Sequence, residues 1–348
     1  MKVLVTGGCG FIGSHACEFY ARRGDQVVAY DNMTKYELDR TGYSVEAARD
    51  SNRDFLAGLG ADIVVGDVCD YSRLLEAAQG CDFLIHTAAQ PAVTISVEDP
   101  DLDFATNVAG TLNVLKTARE LKIPVVSCAT IHVYGNLIND ELTAGETRYL
   151  REPAGIDETH PVMEGVLTPL HASKYAAELY LRVFIDTYGV KAASYRLTGL
   201  YGSRQFGGED HGWMANFIIR ALTDREINIF GTGKQVRDIL YATDVAKAFH
   251  AFYENPKPGV YNIGGGEPNM ISLLESIDLI AEAIGKRPKV NMAPGRHGDL
   301  HYFVCDSSKA RRELGWSSAI RPAEGVRLLA DWVREQIDIF QPKAEVRA

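Results

Sequence analysis

Long hydrophobic runs are the first thing that this 348-residue sequence lacks. None reaches the roughly 18 consecutive apolar residues that span a bilayer, so we expect no membrane partner. The apolar run near the N-terminus stops at glycines after four residues. A signal peptide needs a longer apolar core and a small-residue cleavage site, so this run predicts a buried strand instead.

Paired cysteines and excess positive charge are missing too. The six cysteines are scattered, and none shows C-x-x-C spacing. This predicts reduced thiols in a cytoplasmic protein, without a zinc site or a disulfide framework. Acidic residues outnumber basic ones by 46 to 36, which gives a formal net charge of −10. Such a balance argues against nucleic acid as the main partner, although a local basic pocket for phosphates is compatible with it.

Short apolar runs alternate with amphipathic stretches, most regularly in the first half of the chain. Runs too continuously apolar for half-exposed strands occupy 2–6, 26–30, 62–65, 83–87, 124–127 and 192–196. Helical spacing marks 12–23, 72–79, 107–121, 170–188, 272–284 and 322–336. The alternation predicts an α/β fold, a doubly wound parallel sheet with helices on both faces.

The pattern changes at about residue 200. Residues 1–200 are predicted to form the sheet domain, with a flap at about 136–168 where Gly, Pro and charged residues follow no clear period. Because ligand-contacting loops follow the carboxyl ends of strands, we expect the flap beside the site. Residues 201–348 are predicted to form mainly a smaller C-terminal substrate-binding lobe, with segments crossing between the two lobes.

Three glycines follow the first predicted strand at intervals of three residues. Gly7 permits a tight turn, Gly10 lets the backbone approach a pyrophosphate, and Gly13 allows the next helix to pack closely on the strand. That helix opens at Phe11 and Ile12, and its N-terminus presents free N–H groups and a positive dipole end to phosphates. In this strand–turn–helix context the motif predicts a Rossmann-like dinucleotide site, with a plain glycine-rich turn as the alternative.

Acidic and amide side chains follow the second and third predicted strands. Asp31 lies 18 residues past Gly13, where a carboxylate accepts hydrogen bonds from the adenosine ribose and repels a 2′-phosphate. NAD is therefore the predicted cofactor, and Asn32 is a further candidate contact. Asp67 and Val68 are predicted at the adenine edge, unless they only close a strand-end turn.

Further motifs accompany the glycine loop along nearly the whole chain. They occupy residues 86–90, 107–111, 130–135, 173–174, 231–238 and 296–299. With them the chain resembles the extended short-chain dehydrogenase/reductase superfamily, the NAD-dependent nucleotide-sugar epimerases and dehydratases. Residues 202–206, 210–213 and 233–238 look most like the CDP-paratose/CDP-tyvelose 2-epimerases. The resemblance implies further cofactor contacts from Ala88, Ala89, Gln90, Asn107 and Lys174.

The resemblance also implies a reaction and a substrate class. Bound NAD would take a hydride from a sugar carbon and return it after the transient ketone has turned over, so we expect an epimerase of nucleotide-diphosphate sugars. Thr130 would polarise the reacting oxygen, and Lys174 would hold the nicotinamide ribose. A dehydratase or decarboxylase shares the first oxidation and stays an alternative, as does a non-catalytic NAD-binding protein.

One position departs from the superfamily pattern. Leu170 stands four residues before Lys174, where the family carries the Tyr that moves a proton. His171 lies near the same helix face and is one candidate replacement, since an imidazole titrates near neutrality. His132, two residues past Thr130, is the other candidate, at a position where family dehydratases carry a glutamate. Either histidine could instead be structural, and the sequence does not choose between them.

A nucleotide-sugar carries a pyrophosphate, so the second lobe should supply cations. Arg237 and Arg296 match the family positions that hold it, and the planar fork of arginine suits phosphate oxygens. Arg204 and Gln205 are further candidates, and each of these side chains could instead be an exposed loop group. The sugar, its oxidised carbon and the nucleobase stay open.

A homodimer is the expected assembly, because members of this family usually dimerise through a bundle of two helices from each copy. In this chain the helices are the one after residue 110 and the one holding residue 174. The apolar residues that would take part are Val114, Leu115, Leu179, Tyr180 and Val183, which could pack inside the monomer just as well.

Overall fold

The computed structural model describes residues 1–34, 38, 41, 43–209, 211–296 and 298–341. Asp210 and His297, which belong to two of the motifs above, lie outside the described residues, as does the C-terminal end of the predicted second lobe. The strands are β1 Lys2–Thr6, β2 Gln26–Asp31, β3 Asp62–Val65, β4 Phe83–His86, β5 Val125–Thr130, β6 Thr143–Ala144, β7 Tyr149–Leu150, β8 Ala192–Leu197, β9 Gly199–Tyr201, β10 Ile227–Phe230, β11 Val236–Tyr241, β12 Gly259–Ile263, β13 Met270–Ser272, β14 Val290–Ala293 and β15 Tyr302–Phe303. The helices are α1 Phe11–Arg22, α2 Val45–Gly58, α3 Tyr71–Ala77, α4 Val93–Glu98, α5 Pro100–Phe104, α6 Thr111–Leu121, α7 Pro169–Tyr188, α8 Trp213–Leu222, α9 Ala242–Glu254, α10 Leu273–Ile284, α11 Ser308–Leu314 and α12 Pro322–Glu335.

A parallel sheet forms the centre of the described chain, with the strand order β12-β8-β5-β4-β1-β2-β3. Val3 and Val5 of β1 point into one core, which contains residues of α1 and α9, whereas Leu4 points into the opposite core with residues of α6 and α7. Because helices cover both faces, both sets of side chains must be apolar. The predicted doubly wound α/β fold is confirmed.

The strand order places a reversal between β1 and β4. From β1 the chain continues outward to β2 and β3, whereas β4, β5 and β8 extend the sheet in the other direction. Ligands of such sheets bind outside the carboxyl ends of the strands at this point. The glycine loop follows β1 there, opposite residues 87–90 after β4.

The second lobe packs the short strands β9, β11, β13 and β15 and the pair β10 and β14 against helices α8, α10 and α12. The chain then returns to the first lobe, because α9 packs on α1 and β12 pairs with β8 at the sheet edge. Residues 242–263 are therefore built into the sheet domain, as a segment that crosses between the lobes.

The segment predicted as a flap, residues 136–168, lies against the second lobe. It contains a 3₁₀ turn at Leu137–Glu141 and the hairpin of β6 and β7. The Tyr149 backbone N–H donates to the Lys234 carbonyl at 3.0 Å, and the Arg148 Nε donates to the Glu275 Oε1 at 2.7 Å. None of the described helices is long and apolar enough to cross a bilayer.

Candidate active site

A cleft of about 580 Å³ opens at the carboxyl ends of β1, β2, β4 and β5 and is closed by the second lobe. Most of the predicted site residues line it. They are Gly7, Gly10, Phe11, Ile12, Asp31, Asn32, Val68, Ala88, Ala89, Gln90, Thr130, His132, Lys174, Arg204, Gln205, Arg237 and Arg296. Gly13, Asp67, Asn107 and His171 lie behind this wall, and each supports it in a different way.

The glycine loop leaves space next to its backbone. Gly7 has a φ of +68°, and a Cβ there would lie 2.6 Å from the Ala88 nitrogen. A Cβ at Gly13 would overlap the Gly7 carbonyl oxygen, so Gly13 is needed for packing between α1 and the loop. No side chain caps α1 at Gly10, and its first turn holds no acidic residue. The first-turn N–H groups can therefore donate hydrogen bonds to a phosphate, so the loop fits a dinucleotide.

Asp31 ends β2 inside the cleft and is held by backbone donors. Its Oδ2 accepts from the Cys9 N–H at 3.0 Å and its Oδ1 from the Met33 N–H at 2.8 Å. Each carboxylate oxygen has a second lone pair, which a ribose hydroxyl can use. Asn32 donates from Nδ2 to the Asp67 Oδ2 at 2.9 Å, so Asp67 positions a lining residue rather than lining the cleft itself.

Asn107 acts on the cleft through Gln90. Its Oδ1 accepts from the Gln90 N–H at 3.0 Å, and its Nδ2 donates to the Gln90 carbonyl at 3.1 Å. The same amide group donates to Asp103 and to the Ser173 hydroxyl on α7. Asn107 lies in a π-helical turn, Ala105–Gly110, that precedes α6. It therefore ties the loop after β4 to the helix that holds Lys174.

Thr130, His132 and Lys174 meet in the middle of the cleft. Thr130 ends β5, and its Oγ1 accepts from the His132 backbone N–H at 3.2 Å, which opens a 3₁₀ turn and brings His132 to the wall. The Lys174 Nζ donates to the Cys128 carbonyl at 3.4 Å. Burial lowers the pKa of Lys174.

The His132 imidazole is neutral at ordinary pH. Burial lowers its pKa to about 3, and the positive charge of Arg237 and the neighbouring ring of His171 act in the same direction. Among the residues that the structure describes, no side chain or backbone group forms a hydrogen bond with this ring. A neutral imidazole with an unpaired nitrogen can accept a proton from a bound hydroxyl group.

His171 has a different position, because it caps α7. Its Nδ1 accepts from the Thr168 N–H at 3.0 Å and lies 2.7 Å from the Thr168 Oγ1. Since Nδ1 is an acceptor, the proton of the neutral ring lies on Nε2. The ring centroid is 5.6 Å from that of His132 in an edge-to-face arrangement. His171 is 9% exposed and supports His132 from behind the wall.

Leu170 lines the cleft on the same face of α7 as Lys174. It is 3% exposed, and its backbone N–H donates to the Ser96 hydroxyl at 3.2 Å. The position four residues before the lysine therefore faces the ligand space with a side chain that cannot carry a proton. Any proton transfer here needs another group, and of the two candidate histidines, His132 and His171, only His132 lines the cleft.

Arg237 and Arg296 lie on the second-lobe side of the cleft. The Arg237 guanidinium donates to the carbonyls of Val236 and Leu300, at 2.8 and 2.5 Å. Arg296 is exposed and lies over the Phe230 ring, 4.0 Å from the ring centroid. Both present charge to the cleft, as the prediction of a pyrophosphate site requires.

Gln205 and Arg204 differ although they are adjacent. Gln205 is 6% exposed, and among the described residues its Oε1 has no hydrogen-bond partner. Arg204 donates to the Ser14 hydroxyl, the His15 Nδ1 and the Glu18 Oε2, at 3.1, 2.9 and 2.6 Å. Its guanidinium thus holds α1 against the second lobe, and substrate binding by this side chain stays a prediction.

Sequence reasoning missed several polar residues on the wall, among them Asn52, Glu209, Gln235 and Asp299. Gln235 and Asp299 lie inside motifs that were recognised, so their polarity was a usable signal. Asn52 lies on α2, a helix that was not predicted. In the described part of the chain the Oδ1 of Asn52 and the Oε1 of Gln235 are buried without a partner. Such atoms mark places where a bound ligand can donate hydrogen bonds.

No group of three or more His, Cys, Asp or Glu side chains in the described residues is arranged to hold a metal ion. The wall carries N–H and O–H donors, carboxylates, the imidazoles of His132 and His211, and the cationic side chains of Lys174, Arg237 and Arg296. These groups match a site for phosphates and hydroxyl groups.

Comparison with known proteins agrees with this geometry. The chain is 32% identical to CDP-paratose 2-epimerase of Salmonella typhi, over 95% of this chain and 99% of the relative. The solved UDP-glucose 4-epimerase of Thermus thermophilus in complex with NAD is 34% identical, with a TM-score of 0.77 over 96% of this chain and 99% of the other. That of Thermotoga maritima with UDP-glucose is 28% identical, with a TM-score of 0.79 over 97% and 100%. Residues 3–264 match the family described as the NAD dependent epimerase/dehydratase family, and the chain belongs to that family.

Proposed function

We propose that this protein is an NAD-dependent nucleotide-sugar epimerase that works through a transient keto-sugar. The observation that supports it is the continuity of the cleft from the glycine loop, past Thr130, His132 and Lys174, to Arg237 and Arg296. Relatives that the chain resembles are a CDP-paratose 2-epimerase and UDP-glucose 4-epimerases. These relatives do not identify the sugar or the carbon that is oxidised.

Resident NAD would supply the hydride acceptor and return the same hydride within one turnover. The first-turn N–H groups of α1 would bind its diphosphate, and Asp31 its adenosine ribose. The Lys174 ammonium group has a carbonyl as its hydrogen-bond partner, which leaves two N–H donors for a ribose or sugar oxygen. Its charge also stabilises negative charge that develops on the sugar oxygen.

His132 is the group that we assign to proton transfer. Its neutral ring accepts the hydroxyl proton as the C–H bond is broken, and returns it when the ketone is reduced. The Thr130 Oγ1 already accepts from the His132 N–H, so the Thr130 hydroxyl hydrogen is available to polarise the same oxygen. Leu170 adds apolar surface at this point and excludes water from it.

The substrate diphosphate would bind Arg237 and Arg296. Arg237 is half-buried, and its hydrogen bonds go to neutral carbonyl groups, so its charge is available to an anion. Arg296 lies at the exposed rim and can fold over a ligand. The buried acceptor of Gln205 suits a sugar hydroxyl.

Incubation of the purified protein with a panel of nucleoside-diphosphate sugars tests this proposal. We expect co-purified NAD, a product of unchanged mass and a new sugar stereocentre by NMR. A product lighter by one water or one carbon dioxide would replace epimerisation with the dehydratase or decarboxylase alternative. Absence of turnover and of nucleotide-sugar binding across the panel would favour the non-catalytic alternative.

We also propose a cytoplasmic homodimer. Leu179, Tyr180 and Val183 are 41, 43 and 47% exposed along α7, which is an apolar face suited to a second copy. Val114 and Leu115 are fully buried in the monomer core, so for these two residues the alternative of packing inside the monomer holds. None of the six cysteines forms a disulfide, as in proteins of reducing compartments. Light scattering should give twice the chain mass, and V183E should give a monomer; a monomeric wild type would overturn the assembly.

A further inference from the structure

The second-lobe end of the cleft contains acids where a substrate diphosphate would bring negative charge. Glu209 and Asp299 line the same wall as Arg237 and Arg296. A carboxylate near a diphosphate is unfavourable unless it faces a hydrogen-bond donor of the ligand. Asp299 accepts from the Gln235 amide at 3.3 Å, whereas the protein partners of the Glu209 carboxylate lie at one of its two oxygens.

Glu209 is held by its neighbours through one oxygen. Its Oε1 accepts from the Asn228 Nδ2 at 2.7 Å and lies 3.4 Å from the Arg220 guanidinium. The Asn228 Oδ1 accepts in turn from the Asn291 Nδ2 at 3.1 Å, which fixes the amide orientation. No described residue contacts the Glu209 Oε2 by a hydrogen bond. The side chain is therefore oriented with one acceptor oxygen left for a ligand.

A planar group of a ligand can lie beside the Glu209 carboxylate. The Arg296 guanidinium lies over Phe230, 4.0 Å from the ring centroid, and it donates to the Glu209 backbone carbonyl at 3.3 Å. Phe230 and Asn228 are the last and second residues of β10, so the ring and the amide that orients Glu209 come from one strand. An aromatic ring with a cation over it, next to a directed carboxylate, is a surface for a nucleobase.

Nucleobases differ in what they offer a carboxylate. Cytosine, adenine and guanine carry an exocyclic amino group that donates hydrogen bonds, whereas uracil and thymine carry a carbonyl oxygen at the corresponding position. A carboxylate oxygen that faces the exocyclic group accepts from an amino group and repels the lone pairs of a carbonyl, and uracil and thymine then offer only their ring N3–H as a donor. We propose that Glu209 reads the base, and that the nucleotide-sugar of this protein carries an amino-bearing nucleobase. This rests on the proposed function, since it assumes a nucleotide-sugar in the cleft.

Calorimetric titration of the NAD-loaded protein with nucleoside diphosphates tests the proposal without turnover. CDP, GDP or ADP should bind at least about fivefold more tightly than both UDP and dTDP, the low end of what one base contact contributes. The comparison among CDP, GDP and ADP also shows which amino-bearing base is preferred. Tighter or equal binding of UDP or dTDP would overturn the base preference and leave the epimerase proposal intact. Failure of every diphosphate to bind would overturn the proposed function itself.

Glu209→Gln keeps the shape of the side chain and adds an amide N–H. The carbonyl oxygen of uracil or thymine can accept a hydrogen bond from this N–H. The preference should fall to within about twofold of parity, with an unchanged melting temperature because the side chain lies at the exposed rim. Glu335→Gln, an exposed change on α12 outside the cleft, is the matched control and should keep the wild-type preference. An unchanged preference in Glu209→Gln would assign base selection to other residues and overturn the proposal.

Discussion

The cofactor end of the cleft and its proton-transfer end are built from different parts of the chain. At the cofactor end the constraints come from backbone, since Gly7 and Gly13 have no room for a Cβ next to Ala88 and Gly7. At the proton-transfer end the groups are side chains from β5, the turn after it and α7, namely Thr130, His132 and Lys174. Backbone constraints leave a contiguous motif in the sequence, whereas a side-chain constellation does not.

Substitutions at the two ends of the cleft should therefore have different effects on the protein. Damage to the glycine loop should remove the cofactor and every activity that depends on it. Damage to the histidines should leave the cofactor bound and change the rate, the acid stability or the fold locally.

Gly13→Val should have the largest effect. The new side chain would overlap the Gly7 carbonyl oxygen, and overpacking of this kind typically costs about 1–3 kcal/mol, which at its upper end is on the order of 100-fold in NAD affinity. NAD content after purification and a titration of stripped protein measure it. Gly58→Ala at the end of α2 is the control, because a Cβ there meets nothing within 4 Å. Wild-type affinity in Gly13→Val would contradict a loop closed against α1.

His132→Gln should come next, with kcat lower by on the order of 100-fold. Glutamine retains polarity at the wall but cannot carry a proton, so NAD content should stay at the wild-type level. The measurement is kcat on the nucleotide-sugar that the panel identifies. A kcat within a few-fold of wild type would remove His132 from proton transfer and return the assignment to His171 or Lys174.

The comparison of the two ends also explains what the sequence could predict. The glycine loop, Asp31 and the strands of the central sheet follow from local patterns, because a parallel sheet buried on both faces leaves continuous apolar runs such as β1 and β4. Helices α2, α8 and α9 were not predicted. In α2 the side chains that face the core include Ala48 and Asn52, and a polar residue at a buried position breaks the apolar period.

The site could be predicted only in part, for a related reason. His132 and His171 look equivalent in the sequence, since each is a histidine near a family motif. Their difference is set by Thr168, whose N–H is the donor that binds the His171 ring and turns it away from the cleft. Likewise, Arg204 is a candidate for substrate binding in the sequence, but the acceptors on α1 that bind it are about 190 residues away in sequence.

Acid should weaken the fold through buried histidines at both ends. Burial lowers the pKa of His15, His86 and His132 to about 3 each, against 6.5 in the unfolded chain. Between about pH 3 and 6.5 the unfolded chain therefore binds more protons than the folded chain. The free energy of unfolding is highest above about pH 7 and falls as the pH drops below 6.5. Each histidine should cost about 2 kcal/mol of unfolding free energy at pH 5. Urea midpoints from pH 7.5 to 5 measure this loss, and a flat profile would contradict it.

His171→Ala should have the smallest effect and separates a helix cap from a catalytic group. Loss of the Nδ1 acceptor leaves the Thr168 N–H unpaired at the start of α7, which should cost about 1 kcal/mol of unfolding free energy. kcat should change by less than tenfold, because the ring does not line the cleft. His171→Gln is the decisive companion, since a glutamine at the third helical position restores the cap but cannot transfer a proton. If His171 acts only as a cap, glutamine should recover both stability and kcat; recovery of stability with a kcat still 100-fold low would make His171 the proton carrier in place of His132.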